Sequence, residues 1–393
     1  MRIAIVTLPL HVNYGGLLQA YALKRCLESL GHEVTVLDRK VKMPLPSVWK
    51  APFIYMKRLL SGKSLPEIFR EHVYRRNYPV FAANVQKFTD RLIAPRMIGG
   101  YDEVKEGEYD AFIVGSDQVW RPLYFGKIED AFLAFTKDWD VVRMSYAASF
   151  GTDNLEYEYE TIQRCTSLLE RFDAVSVRES SGVEMCEEWL DCDRAVHVLD
   201  PVMLLDADDY KALAANASAH PCEGKVAAYI LDRTPEKETV LDFMSRVSGC
   251  EIVELLDARV PLEKRVVPAV EDWLAGFMDA RSVVTDSFHG CVLAILFHKP
   301  FVAVGNSRRG MARMESLLNM FGLDMRLVHG IDPEGVVKAL NDAGQIATQY
   351  VDLAGNPTSD IRFNPNDSVF AIEGITSPDG RVIGKMGHSE RIG

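Results

Sequence analysis

The residues best suited to chemistry in this chain form the stretch Thr-Asp-Ser-Phe-His-Gly at positions 285–290. A histidine can give or take a proton near neutral pH, and a carboxylate such as Asp286 can deprotonate a hydroxyl or orient the imidazole of His289. If a helix starts here, its N-terminal N–H groups attract phosphate. The stretch therefore predicts a catalytic site that handles phosphate. The alternative is a capping turn in which Asp286 or Ser287 is the N-cap and His289 is hydrogen-bonded locally.

The elements that would position this stretch are those of an open α/β sheet. Residues 281–284 have the pattern of a short buried strand, residues 291–297 that of a buried helix, and residues 301–304 that of the next strand. The stretch 285–290 then lies in a loop from a strand into a helix, which is where open α/β sheets bind their ligands.

Other apolar runs predict further strands, and several of them end in polar residues. The polar residues at these strand ends are Ser116, Asp117, Ser149, Arg178, Glu179 and Asp200. Because the carboxyl ends of parallel strands meet at one edge of a sheet, we expect these side chains to lie close together. A second α/β series begins at residue 225. We therefore predict an α/β fold of two Rossmann-like domains, 1–205 and 206–342, that face each other across a cleft.

The N-terminus has the pattern of a strand, a glycine-containing loop and a helix. The loop carries Gly15 and Gly16, but the sequence is not the G-x-G-x-x-G of dinucleotide-binding proteins, so a dinucleotide site is not supported. A glycine pair at this position indicates a close approach of the backbone, either to a ligand or to packed neighbours.

Composition and length restrict the class of protein. At 393 residues the chain is too long for one ordinary core, and 48% hydrophobic and 25% charged residues are typical of globular proteins. The net charge of −12 argues against general nucleic-acid binding. The seven cysteines have no metal-ligand spacing, so we predict no metal site. A start directly on a strand, with no apolar run of membrane-spanning length, predicts a cytoplasmic protein.

A basic excursion at residues 39–96 interrupts the α/β pattern. Lysine and arginine outnumber aspartate and glutamate here, and residues 48–60 mix apolar with basic side chains as interfacial segments do. The interpretation we favour is a segment packed on its own domain with solvated lysines, because the apolar face is short and contains Pro52. The alternative is a peripheral contact of residues 48–63 with the inner face of the membrane, where a lipid-linked substrate waits.

Five motifs of the chain, in order, resemble those of the polysaccharide pyruvyl transferase family. They begin at residues 13, 115, 176, 199 and 285: Asn-Tyr-Gly-Gly, Gly-Ser-Asp-Gln-Val-Trp, Ser-Val-Arg-Glu, Leu-Asp-Pro-Val and the stretch 285–290. The resemblance covers about residues 1–342 and implies a two-domain fold similar to GT-B glycosyltransferases. It also implies transfer of the enolpyruvyl unit of phosphoenolpyruvate to a pair of sugar hydroxyls, which gives a pyruvate ketal in a surface or capsular polysaccharide. The expected partners are phosphoenolpyruvate and a glycan or lipid-linked acceptor, with no cofactor and no nucleic acid.

The resemblance also assigns roles to residues. It implies that His289 is a general acid and that Arg178 contacts the phosphate or carboxylate of the donor. Some members carry an arginine where this chain has Ser287, so Arg308, Arg309 or Arg313 would have to supply that charge. The predicted substrate-binding residues are Asn13, Tyr14, Gly15, Gly16, Gln19, Ser116, Asp117, Arg178, Asp200, Ser287, Arg308 and Arg309, and the predicted catalytic residues are His289 and Asp286.

The C-terminal residues 343–393 resemble a different family, the end of the glutaminase domain of phosphoribosylformylglycinamidine synthase. There the pair His-x-Glu, here His388 and Glu390, completes a Cys-His-Glu triad. No cysteine of this chain lies in a G-x-C-x-G context, so we predict a fragment without glutaminase activity. For the main part of the chain two other functions stay open: a GT-B-type glycosyltransferase that uses a nucleotide sugar, or a non-catalytic sugar-binding protein of a polysaccharide cluster.

Overall fold

The computed structural model describes residues 1–39, 45–154, 156–256, 267–306 and 310–328, together with 346–358, 360, 362–363, 372–376 and 383–385. The chain divides into two compact units, Met1–His329 and Gly330–Gly393. Both parallel sheets of the α/β fold lie in the first unit. The domain boundaries predicted at 205/206 and 342/343 stay predictions.

The first sheet has its most buried strands, the first and the fourth along the chain, next to each other. Its strands are β1 (Arg2–Val6), β2 (Glu33–Arg39), β3 (Arg96–Ile98), β4 (Ala111–Val114) and β5 (Val142–Ser145). They are parallel and have the spatial order β3-β2-β1-β4-β5. All four residues of β4 are buried, as in parallel sheets that are covered on both faces.

Helices connect and extend this first half. They are α1 (Tyr14–Ser29), α2 (Ala51–Leu60), α3 (Leu65–Ile68), α4 (Arg70–Phe81), α5 (Ala83–Phe88), α6 (Pro122–Phe125), α7 (Tyr159–Leu169) and α8 (Ser180–Leu190). Helices α2 to α5 form the basic excursion. Two short parallel strands, β6 (Ser176–Val177) and β7 (Val196–His197), carry the remaining strand ends of this half.

The second half repeats the architecture. Its elements are α9 (Ala207–Ala214), β8 (Val226–Tyr229), α10 (Pro235–Ser248), β9 (Ile252–Glu254), α11 (Val270–Asp279), β10 (Ser282–Thr285), α12 (Phe288–Leu296), β11 (Phe301–Val304), α13 (Ala312–Met320) and β12 (Leu327–Val328). The strands are parallel, in the order β12-β11-β10-β8-β9. Two Rossmann-like sheets confirm the α/β, GT-B-like fold that the sequence predicts.

The two halves share one apolar core. The Tyr14 ring of α1 stacks on the Trp273 ring of α11, with ring centroids 4.5 Å apart, and the Tyr14 hydroxyl donates to the carbonyl of Pro268 at 2.7 Å. This contact holds the N-terminus of α1 against the second half. The loop that precedes α1 is thereby placed beside the loop that precedes α12.

The C-terminal unit has a different architecture. Its described strands, β13 (Ile346–Gln349), β14 (Ile372–Thr376) and β15 (Ile383–Lys385), form an antiparallel sheet in that order. The predicted triad residues His388 and Glu390 lie outside the described residues. Within the described ranges, no helix combines the length and the apolar character needed to cross a membrane.

Candidate active site between the two sheets

The turn at residues 285–290 has the geometry that its sequence predicts. Strand β10 ends at Thr285 and α12 begins at Phe288, with Ser287 as the N-cap, whose hydroxyl accepts from the Gly290 N–H at 3.4 Å. The Thr285 hydroxyl donates to the Tyr229 carbonyl at 2.8 Å and accepts from the Ser287 N–H at 3.1 Å. The capping alternative is therefore present in the structure, and it fixes the backbone of His289 at the start of a helix.

Asp286 points into its own half of the molecule. One carboxylate oxygen accepts from the Leu231 N–H at 2.6 Å, and the other accepts from Lys237 Nζ at 2.6 Å and from Asn306 Nδ2 at 2.9 Å. The side chain is fully buried. The predicted catalytic role of Asp286 does not fit these contacts, because its oxygens already bind loops around the second sheet. The carboxylate beside His289 is Asp200 instead.

His289 reaches across to the first half of the molecule. Its Nε2 lies 3.6 Å from Asp200 Oδ2, just beyond hydrogen-bond distance, and the side chain is 10% exposed. A Cβ atom at Gly15 would overlap the imidazole ring. Gly15 therefore allows the loop before α1 to pack directly against His289. The glycine pair predicts a close approach of the backbone, and at Gly15 the backbone approaches the His289 side chain.

Arg178 joins the strand ends of the first half into one ionic network. Its Nη1 donates to Asp200 Oδ2 at 2.8 Å and its Nη2 donates to Asp117 Oδ1 at 3.1 Å, and its side chain is 1% exposed. The guanidinium carbon also lies 4.7 Å from the centroid of the Phe288 ring. Two carboxylates thus occupy the Nη groups of the arginine predicted to bind the donor.

The network shifts the ionisation of its members. Burial would lower the pKa of Arg178, but Asp200 and Asp117 raise it above its ordinary value. Burial would raise the pKa of Asp200, but His289 and Arg178 hold it well below the usual range. The pKa of Asp117 is lowered in the same way, against the effect of its burial, by Arg178, His289 and Arg313. Both carboxylates are therefore ionised near neutral pH.

Asp117 also has an unusual backbone. Its φ is 70°, in the left-handed region that non-glycine residues seldom adopt. Such conformations cost energy and concentrate at functional sites, where the surrounding structure enforces them. The carboxylate at this position is thereby held at the carboxyl edge of β4.

Three predicted substrate-binding residues turn out to be internal supports. Gln19 Nε2 donates to the Thr7 hydroxyl at 3.0 Å, and its Oε1 accepts from the Ser116 N–H at 2.8 Å. The Ser116 hydroxyl donates to the Ala147 carbonyl at 2.8 Å. Tyr14 is occupied by its contacts with the second half. These contacts indicate structural roles for Tyr14, Gln19 and Ser116, because their polar groups bind the protein itself.

A cavity opens where the strand ends of the two sheets meet. Its lining residues include Asn13, Asp117, Gln118, Asp286, Ser287, His289, Asn306, Gly310 and Arg313. Arg178 and Asp200 are buried behind the residues that line it. The strand ends that the sequence predicts to meet are thus brought together. The predicted contacts Arg308 and Arg309 lie outside the described residues.

Arg313 also lines the cavity. The sequence indicated it only as one of three arginines that could supply the positive charge for phosphate. It lies in the first turn of α13, is 7% exposed, and has its guanidinium carbon 5.9 Å from the Phe288 ring centroid. Burial and the neighbouring guanidinium of Arg178 lower the pKa of Arg313 to about 10. Its signal in the sequence was its place at the start of a helix that follows the strand after the stretch 285–290.

The site contains charges of both signs. The guanidiniums of Arg178 and Arg313 lie near the Phe288 ring, and the buried carboxylates of Asp117, Asp200 and Glu179 act on them. Protonated His289 would add a further positive charge. Among the described residues, no group of three His, Cys, Asp or Glu side chains could hold a metal ion.

Comparison with known proteins decides the family. The model of the family named Polysaccharide pyruvyl transferase matches residues 13–308, which is most of the chain and includes Asp117, Arg178, Asp200 and His289. Arg313 lies just beyond the matched residues. The chain belongs to the polysaccharide pyruvyl transferase family. As a member of that family it is a transferase.

The tail matches another family, as its sequence predicts. The model of the CobB/CobQ-like glutamine amidotransferase domain matches residues 320–393. Phosphoribosylformylglycinamidine synthase of Saccharomyces cerevisiae is 49% identical over 49 residues, 12% of this chain and 4% of that protein. The PurQ subunit of the same synthase from Thermomicrobium roseum is 40% identical over 74 residues, 18% of this chain and 30% of the subunit. The chain thus spans less than a third of either relative.

Two solved structures with a similar course of the chain are UDP-GlcNAc 2-epimerases. The UDP-N-acetylglucosamine 2-epimerase of Rickettsia bellii is 11% identical, covers 86% of each chain and has a TM-score of 0.47. The UDP-GlcNAc 2-epimerase of Methanocaldococcus jannaschii is 10% identical over 87% of this chain and 92% of its own, with a TM-score of 0.43. At these values no conclusion about substrates follows.

Proposed function

We propose that this protein transfers the enolpyruvyl unit of phosphoenolpyruvate to two hydroxyls of one sugar and so forms a pyruvate ketal in a surface or capsular polysaccharide. What carries this proposal is the juxtaposition of Arg313, Arg178 and His289 at one cavity between the sheets. Family membership supports it, because the family's name describes transfer of a pyruvyl group to a polysaccharide.

The donor needs cationic contacts that the cavity offers. Phosphoenolpyruvate carries a phosphate and a carboxylate, and each is bound most strongly by charge-assisted hydrogen bonds. Arg313 lines the cavity, and Arg178 is buried behind it with its Nη groups bound to Asp117 and Asp200. We therefore assign the direct contact with the donor to Arg313. Arg178 acts from behind, since it fixes the two carboxylates and adds positive potential. The N-terminal end of α12 contributes the positive end of its dipole.

The first chemical step needs a proton at the methylene carbon of the donor. A sugar hydroxyl attacks C2, the electron pair of the double bond takes a proton at C3, and we assign the gift of this proton to His289. The carboxylate of Asp200, 3.6 Å from His289 Nε2, is close enough to orient the ring for this transfer. Loss of inorganic phosphate then leaves an oxocarbenium-like centre at C2. The second hydroxyl attacks this centre, closes the ketal and returns its proton to His289, while the proton of the first hydroxyl leaves with the phosphate.

Asp117 is the remaining carboxylate at the cavity. Because its pKa is lowered, it is a weak base, so we assign it to hydrogen-bonding an acceptor hydroxyl while the oxygen becomes a nucleophile. Asn13 is exposed at the rim of the same cavity and can bind the acceptor sugar there.

Release of inorganic phosphate tests the proposal. The full chain is incubated with phosphoenolpyruvate and a panel of acceptor glycans, and parallel reactions contain nucleotide sugars in place of the donor. We expect phosphate release that depends on both phosphoenolpyruvate and one class of acceptor. Transfer from a nucleotide sugar with no use of phosphoenolpyruvate would show a glycosyltransferase. Binding of glycans without any turnover would show a sugar-binding protein.

A further inference from the structure

The basic excursion presents an unpartnered apolar stripe. Trp49, Phe53, Met56 and Leu60 are 88%, 79%, 56% and 81% exposed. Phe53, Met56 and Leu60 share one face of α2 because of their spacing of three and four residues, and Trp49 lies in the turn just before the helix. No residue of α2 is buried, although the helix contains six large apolar side chains. We call residues 48–63 the amphipathic segment.

The opposite face of the amphipathic segment attaches it to the protein. Tyr55 packs against Phe69, with ring centroids 4.9 Å apart, and its hydroxyl lies 3.0 Å from His72 Nε2. Arg58 makes two hydrogen bonds to the Glu71 carboxylate, at 2.6 and 2.8 Å, and a third to the Ile68 carbonyl at 2.7 Å. These contacts hold α2 on the following helices without using the apolar stripe. The apolar stripe therefore lies on the exposed face of a helix whose other face is held by the rest of the protein.

The charge of the amphipathic segment is opposite to that of the protein. Residues 45–66 contain four basic residues and no aspartate or glutamate, in a chain whose net charge is −12. Glu71 neutralises Arg58, whereas Lys50, Lys57 and Lys63 are exposed. Apolar side chains flanked by lysines are the pattern of helices that lie in the headgroup region of anionic membranes.

Charge also decides between a lipid surface and a second copy of this chain. A two-fold dimer through this face would bring the same patch against itself, so that lysines would face lysines. An anionic lipid surface would neutralise these lysines and would cover the apolar stripe at the same time.

We propose that the amphipathic segment docks on an anionic lipid surface. Trp49, Phe53, Met56 and Leu60 enter the boundary between headgroups and acyl chains, and Lys50, Lys57 and Lys63 lie among the headgroups. The structure thus favours the membrane alternative over the packed excursion that the sequence favoured, because the apolar face is outside. This docking requires neither the donor nor the acceptor of the proposed reaction, so the two proposals can fail separately.

Vesicle co-sedimentation of the full chain tests the docking. Vesicles of phosphatidylcholine alone are compared with vesicles that contain about 30% phosphatidylglycerol, a fraction that gives a negative surface potential. We expect binding only to the anionic vesicles and weaker binding at high salt. Phe53→Glu should weaken binding about tenfold or more, because it places a charge in the apolar stripe. Replacing any one of the three lysines by glutamine should weaken it about fivefold.

The matched control is Trp189→Glu, which puts the same charge in place of a half-exposed aromatic residue of α8. It should bind vesicles like the wild-type protein, and Phe53→Glu should release phosphate from phosphoenolpyruvate with a soluble acceptor at the wild-type rate. Equal binding to neutral and anionic vesicles, or wild-type binding by Phe53→Glu, would overturn the proposal. The proposal would also be overturned if the wild-type protein were a dimer that Phe53→Glu dissociates and if neither protein bound vesicles.

Discussion

Two buried charge clusters, one around Asp286 and one around His289, differ in how their charges are paired. The loop cluster, Asp286 with Lys237, Asn306 and Asp232, lies inside the second half of the molecule. The site cluster, His289 with Asp200, Asp117, Arg178 and Arg313, contains residues of both halves. Neighbouring positions of one turn thus serve two separate networks.

The difference lies in how each cluster balances its charges. In the loop cluster a buried lysine and a buried carboxylate pair at 2.6 Å, and backbone N–H groups bind the remaining carboxylate lone pairs. The carboxylate of that cluster therefore has its partners within the second half, although Asp286 and Asn306 also line the cavity. In the site cluster two guanidiniums lie near one ring among buried carboxylates, and the burial of Arg313 lowers its pKa. A guanidinium that lines a cavity is suited to bind an anionic group.

Breaking the site cluster at His289 should have the largest effect. His289→Gln removes the proposed proton donor but keeps a polar side chain, so we expect the turnover number for phosphate release to fall about 10²- to 10⁴-fold. The urea unfolding midpoint should stay near that of the wild-type protein, since Asp200 retains its bond to Arg178. His220→Gln, at an exposed histidine paired with Asp279, is the control. Near-wild-type turnover of His289→Gln would remove His289 from the chemistry.

Breaking the loop cluster should affect stability instead. Lys237→Met leaves the Asp286 carboxylate buried without its cation, which should lower the free energy of unfolding by about 3–5 kcal/mol. Lys225→Met removes an exposed partner of Glu251 and should leave the free energy of unfolding nearly unchanged. Both values come from urea unfolding. The double variant Lys237→Met/Asp286→Asn should regain part of the loss. Equal stability of the two lysine variants would contradict the distinction between the clusters.

The glycine pair tests how closely the two halves must approach. A methyl group at Gly15 would overlap the imidazole of His289, so Gly15→Ala should move the ring and lower turnover about 10²-fold. At Gly16 the added carbon would lie 3.1 Å from the Asn13 amide nitrogen, at the end of an exposed side chain that can move. We therefore expect Gly16→Ala to keep most of the activity. Equal turnover of the two variants would show that Gly15 does not set the position of His289.

Local sequence patterns were sufficient to predict the elements around the site. The apolar runs at 282–285 and 301–304 form parallel strands because their residues are buried on both faces, and Ser287 caps α12 as its residue type suggests. The strand-end positions Asp117, Arg178 and Asp200 do meet, since parallel strands bring their carboxyl ends to one edge.

The pairing of side chains could not be predicted in this way. Asp286 is three positions from His289, whereas Asp200 is 89 positions away, yet Asp200 is the carboxylate beside the ring. That choice depends on the packing of α1 against the second half. The same packing turns Tyr14 and Gln19 inward, and the start of α13 brings Arg313 to the cavity. Contacts between distant segments are absent from local patterns.

Calorimetric titration of Arg313→Gln with phosphoenolpyruvate tests most directly whether the site cluster binds the donor. We predict that the wild-type protein binds phosphoenolpyruvate and that the variant binds it about tenfold more weakly, because a charge-assisted contact to the donor is lost. Lys24→Gln, which removes a cation that hydrogen-bonds to the Ile93 carbonyl, should bind like the wild-type protein. Wild-type affinity in Arg313→Gln, or no binding by the wild-type protein, would contradict the assignment of this cluster to the donor.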